Sequence, residues 1–195
     1  MHTFSQLTTI FGSRMKALEI LCLLNDAKPV VRHGFYEHEI KKVIEFCRAH
    51  SLFVEQSRHA ILLEEQGFTN RGKTSDKGMK LLYISKDELT AAQTCLYETQ
   101  QDHSQTGLML GYPACCVRVF CDQFAKNNLN PVHVLTNQWT NLSLRDKDIC
   151  LLSHFPCSSD CAESIFIAKQ NFDILQKADK EIAALFLQRL QKQDY

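Results

Sequence analysis

The chain carries no excess charge: Lys plus Arg and Asp plus Glu stand at 22 each in 195 residues. No global field draws it to nucleic acid or to an anionic membrane, so any such binding would have to be local. There is no apolar run long enough to span a bilayer. The N-terminal stretch MHTFSQLTTIFGSRMKALEILCLLNDAKP is apolar in part, but Arg14, Lys16 and Glu19 fall within helical spacing and no small-residue cleavage site follows. That pattern predicts an amphipathic helix and argues against a signal peptide. Internal repeats, low-complexity segments, a G-x-S-x-G elbow, a paired-carboxylate pattern and a dinucleotide fingerprint are also missing. What remains is a soluble, cytoplasmic chain of ordinary composition, 45% hydrophobic and 23% charged, long enough for one well-buried core.

Cysteine, by contrast, is plentiful, with nine in the chain. In a reducing compartment they point to buried thiols, metal ligands or catalytic thiols, and not to a disulfide framework. Cys22, Cys47, Cys95 and Cys150 fall at apolar positions, where burial as small hydrophobes accounts for them. Cys121 leans to the core as well. The stretch GYPACCVRVFC (111–121) is different, because successive helical side chains point about 100° apart and cannot both face one core. Cys115 and Cys116 are therefore poorly explained by packing. A second cluster, HFPCSSDCAES (154–164), spaces His154, Cys157 and Cys161 as H-x2-C-x3-C.

Hydrophobic periodicity places these clusters. It predicts helices over 13–25 and 37–49, strands at 52–56, 59–65 and 80–85, and a helix from about Lys86 to Gln100 capped by Ser85 or Asp87. Residues 99–104 read as a polar break. A helix over 113–126 is opened by Pro113, tolerated at the first position because its missing N–H has no intrahelical acceptor there. Residues 148–154 suit a short buried strand, and a long C-terminal helix runs from Ser158 to about Gln193, bent near Asn171. The expected fold is α/β or α+β: a single domain over 1–195, with a helix/strand half (1–104) and a cysteine-rich, mostly helical half (105–195). It has a small mixed sheet flanked by helices.

In both clusters a proline precedes cysteines where a helix begins, which puts the thiols near unpaired backbone N–H groups and the positive end of a helix dipole. That setting favours thiolate, the form that binds metal or attacks an electrophile. If the two helix starts converge, Cys115, Cys116, Cys157 and Cys161 supply sulfurs and His154 a nitrogen, enough for an iron–sulfur cluster or a tetrahedral zinc. The spacing matches no zinc ribbon, zinc finger or radical-SAM run.

The segments GLMLGYPACCVRVF and SHFPCSSDC resemble the pattern of an uncharacterised prokaryotic family catalogued as domain of unknown function 483. There a G-Y-P-x-C-C-x-x-x-F stretch is followed by an H-x-P-C-x-x-x-C stretch. The resemblance covers mainly residues 107–164 and falls on Gly111, Tyr112, Pro113, Cys115, Cys116, Phe120, His154, Pro156, Cys157 and Cys161. It implies that the two clusters belong to one site and supplies no reaction.

The leading expectation is an iron–sulfur protein. Cys116, Cys157 and Cys161 hold the cluster, Cys115 is the fourth ligand or a reactive thiol, and His154 is an alternate ligand or general acid. Three ligands would leave an open iron for Lewis-acid or sulfur chemistry on a small-molecule substrate; four would favour structure or electron transfer with a redox partner. Three alternatives stand beside it. One is a zinc-stabilised module that acts by binding. Another is a metal-free thiol enzyme in which His154 activates Cys157 or Cys116. The third is a nucleotide-binding enzyme, since GFTNRGKT (67–74) satisfies G-x-x-x-x-G-K-[ST], with Lys73 for the phosphates and Thr74 for magnesium. That motif needs a helix from Lys73, where the sequence turns strand-like.

Overall fold

A computed structural model describes residues 3–62, 73–74, 78–125 and 137–191. In chain order its elements are α1 (Phe4–Phe11), α2 (Arg14–Leu24), β1 (Val30–Phe35), α3 (Glu37–Ala49), β2 (Phe53–Gln56), β3 (Ile61–Leu62), β4 (Lys73–Thr74), β5 (Lys80–Ser85), α4 (Glu88–Thr99), α5 (His103–Met109), α6 (Ala114–Val119), α7 (Ala162–Ala178) and α8 (Lys180–Gln191). A π-helical turn, Phe120–Ala125, continues α6, and a 3-10 turn lies at Gln138–Thr140. The fold class is the expected mixture of helices with a small sheet. By its contacts the chain divides into two compact units, residues 28–131 and residues 1–27 with 132–195.

In the unit of residues 28–131 the sheet order is β1-β5-β2, and both pairings are antiparallel where a mixed sheet was expected. Tyr83 stands in register between Arg32 of β1 and Glu55 of β2. Helix α4 packs on this sheet and closes a cluster of Val30, Leu81, Tyr83, Ala91, Cys95 and Leu110. Two polar side chains enter that packing, and both are answered by Glu98. The Tyr83 hydroxyl donates to Oε2 at 2.7 Å and the Arg32 guanidinium to Oε1 at 2.6 Å. Burial, then the Glu98 charge, push the Tyr83 phenol well above its usual range, so it stays protonated and able to donate.

Strand β1 was missed in the sequence because its run VVRHGF is short and defined by a partner some fifty residues on, with only Val30, Val31 and Phe35 buried. The polar stretch before Gly107 is no break but a cap: Asp102 accepts from the Gln105 N–H at 3.0 Å and opens α5.

In the unit of residues 1–27 with 132–195, α1 opens with a Thr3/Gln6 capping box and ends at Gly12, whose φ of 76° suits glycine. Helix α2 has no acidic residue in its first turn. Asp148 supplies the negative charge from far along the chain. Its carboxylate accepts from Ser13 Oγ at 2.5 Å, from the Arg14 N–H and from the Met15 N–H at 3.0 Å. To do so Asp148 adopts a left-handed backbone, φ 60°, a region aspartate tolerates better than most residues.

The expected C-terminal helix is two helices. The break falls at Asp179, whose extended backbone lets its carboxylate cap α8 through the Ile182 N–H at 3.0 Å. Asn171, where a bend was expected, lies within α7. Its amide donates to Leu151 O at 2.8 Å and accepts from Cys22 Sγ at 3.2 Å. The expected strand at 148–154 is buried from Ile149 to Leu152 but irregular. Its backbone groups bond to Leu144 O, the Asn171 side chain and the Cys150 thiol instead of to a neighbouring strand. No helix among the described residues is long and apolar enough to cross a membrane.

The Asp148 cap gives a direct prediction. Asp148→Ala removes three acceptor contacts at the start of α2 and is expected to lower unfolding free energy by about 1–2 kcal/mol. Asp148→Asn, which keeps an acceptor and the left-handed backbone, should lose less. Urea unfolding midpoints of the two variants check the order.

Candidate metal centre

The first motif begins with glycine for a steric reason. Gly111 has φ 76°, and a Cβ there would lie 2.9 Å from Pro29 Cδ, so a larger residue is both strained and obstructed. A Cβ on Gly107 would meet Val117 Cγ2 at 2.8 Å, so Gly107 lets α5 lie close against α6. Tyr112 packs against the Val30–Leu110 cluster, with the Lys28 ammonium 5.0 Å above its ring. That ammonium also donates to Leu110 O at 3.2 Å. Pro113 is the residue that caps α6, one position earlier than expected, and its carbonyl accepts the first helical bond, from Val117 N at 2.9 Å. Cys115 and Cys116 thus fall in the first turn, Cys115 half-buried and Cys116 buried.

In the second motif Cys161 is the N-cap residue of α7; its sulfur makes no capping bond, and its carbonyl accepts from Ile165 N at 2.9 Å. Cys157 is half-buried and Cys161 buried. A turn joins them, with Cys161 N bonded to Ser158 O at 3.3 Å, and Thr140 Oγ1 donates to Ser159 O at 2.6 Å. His154 is buried, and its Nε2 lies 2.8 Å from Ser164 Oγ in the first turn of α7.

The sulfurs of Cys115, Cys116, Cys157 and Cys161 all lie within 4.8 Å of one another, and those of Cys115 and Cys116 are 3.8 Å apart. Four thiols this close could hold a metal ion. As bare thiolates they would repel strongly, about 4 kcal/mol for each pair near 4 Å at an effective dielectric of about 20. All nine cysteines are free thiols. Adjacent side chains that cannot share one core could share one ion, since the sulfurs of Cys115 and Cys116 lie 3.8 Å apart.

Of the residues expected at the site, the four cysteines are brought together, while the group includes no His154 nitrogen. Cys22, Cys47, Cys95 and Cys150 are buried elsewhere, as expected of small hydrophobes. Burial raises the thiol of Cys47 to about 12 and pushes those of Cys95 and Cys150 upward, so these stay neutral and unreactive near neutral pH. Thr140 and Ser164 were not picked out from the sequence. Ser164 sits three residues after Cys161, a helical spacing that could have flagged it; Thr140 acts on Ser159 across nineteen residues and leaves no local signal.

The phosphate-loop reading fares differently. Residues 67–72 lie outside the described residues, but Lys73 and Thr74 form β4, paired antiparallel with Leu62 and Ile61. A strand begins where that motif requires a helix. No family model, curated protein or solved structure matches the chain.

Exposure sets an order of reactivity. In metal-free protein under native conditions, iodoacetamide should modify Cys115 and Cys157 well before Cys116, Cys161, Cys47 and Cys150, as peptide mass mapping over time would show.

Proposed function

We propose that the protein binds one metal ion, zinc, in a closed shell of four thiolates from Cys115, Cys116, Cys157 and Cys161, and that the ion is structural. The observation that carries this reading is the spread of the sulfurs. A tetrahedral ion with metal–sulfur bonds of about 2.3 Å sets its ligands about 3.8 Å apart. The Cys115–Cys116 separation of 3.8 Å fits that edge, and a ceiling of 4.8 Å for the whole group leaves little contraction to be made. An iron–sulfur cluster places bridging sulfides and further irons between its cysteines and so holds them wider apart than one ion does. Four thiolates also leave no open coordination position, which favours a structural role over Lewis-acid or hydrolytic chemistry.

In this reading the motif that resembles the pattern of domain of unknown function 483 is a metal-binding signature. Tyr112 and the glycines set the backbone, and the cysteines do the ligating. The protein acts by binding a partner through the fold that the ion stabilises.

Anaerobic purification with elemental analysis tests this. The expected result is a colourless protein with one zinc per chain and no acid-labile sulfide. Cys115→Ser, Cys116→Ser, Cys157→Ser and Cys161→Ser should each lose most of the zinc, whereas Cys22→Ala and Cys95→Ala should keep it. Brown protein containing iron and sulfide would contradict the reading.

A further inference from the structure

We infer that His154 serves the metal centre without touching the ion: bonded to Ser164, it is a positioning residue that holds the Cys157–Cys161 loop in ligand-ready geometry. The inference rests on the metal reading above and goes beyond it, since H-x2-C spacing would otherwise cast His154 as a ligand or a proton carrier.

Three observations carry it. The Nε2···Ser164 Oγ contact of 2.8 Å occupies one ring nitrogen, and the group of four close ligand atoms consists of sulfurs alone, with no His154 nitrogen. Both partners are almost wholly enclosed, His154 at 4% exposure and Ser164 at 0%, so the bond is shielded from competing water. The bond also closes a ring. It joins residues ten apart, and both Cys157 and Cys161 lie inside the loop so formed. Ser164 stands on the first turn of α7, the helix that Cys161 begins, so fixing Ser164 against His154 fixes where that helix starts relative to the Pro156–Cys157 segment.

Within the ring, Thr140, itself at 0% exposure, anchors the midpoint by its bond to Ser159 O, and the Cys161–Ser158 turn sets the spacing between the two ligands. A loop free at these points would have to be ordered by the ion, and that entropy would be subtracted from its affinity. Anchored in advance, it meets the ion with its sulfurs in place.

The test uses the full chain with cobalt(II) as probe, whose sulfur-to-metal charge-transfer absorption reports the number of thiolate ligands. Ser164→Ala and His154→Gln break the same bond from opposite ends, so a variant that fails to fold leaves the other to be read. Affinity is measured at a temperature where circular dichroism shows the metal-free variants fully folded, so that a role in global stability alone leaves it unchanged. The expected result is a ten- to hundredfold loss of cobalt affinity in each, with the absorption at saturation the same as in the unmutated protein. The double variant should bind no worse than the weaker single variant, because only one bond is lost.

Unchanged affinity in the folded variants, additive losses, or a changed spectrum in saturated His154→Gln would overturn the inference while leaving the metal reading intact. Failure of the unmutated chain to take up cobalt would instead overturn the metal reading, and this inference with it.

Discussion

Four sulfur atoms held within 4.8 Å of one another have few stable states. All protonated, they are weak hydrogen-bond partners in a partly buried place; all ionised, they repel through six pairs at several kcal/mol each in a medium of intermediate dielectric. A divalent cation would resolve this by taking the thiolates as ligands, which would convert that repulsion into attraction. The features around the sulfurs are those that such an arrangement needs. Gly111 lets the backbone turn tightly against Pro29, Pro113 starts a helix whose first turn carries two thiols, and Cys161 starts another whose first turn is tied back to His154. Of the four residues, Cys116 and Cys161 are buried and Cys115 and Cys157 half-buried.

Much of this site was legible in the sequence, for a chemical reason. Cysteine in a reducing compartment has few uses, and adjacent cysteines defeat helical packing geometry, so Cys115 and Cys116 called for an explanation that Cys22 or Cys47 did not. Pro113 gave the start of α6 to within one residue, because proline constrains its own backbone, whereas α7 begins at Ala162, four residues after the expected Ser158. The apolar run of α2, the periodic helix α3 and the apolar strand β5 were legible in the same way, since they follow from their own residues.

What escaped was set by distant partners. VVRHGF becomes a strand because β5 pairs with it, and residues 148–154 fail to become one because their buried carbonyls are met by Asn171 and Cys150. The polar run at Asp102 read as a break and Asp179 as the interior of one long helix, yet each is a helix cap, a role that depends on one side-chain bond. His154 shows the same limit at the site itself. Its spacing from Cys157 fits a ligand equally well, yet the four sulfurs gather without it and its Nε2 lies against Ser164 Oγ. The phosphate-loop pattern is the converse case, in which eight residues match a motif but the last two, where its helix should begin, form a strand.

The account stands on a single ion ringed by four thiolates, and X-ray absorption at the metal edge of the purified, metal-loaded protein addresses that most directly. The predicted spectrum is a zinc edge with one shell of four sulfurs at about 2.3 Å and no metal–metal scattering. An iron edge with a metal–metal contribution, or a zinc shell in which nitrogen replaces sulfur, would contradict it.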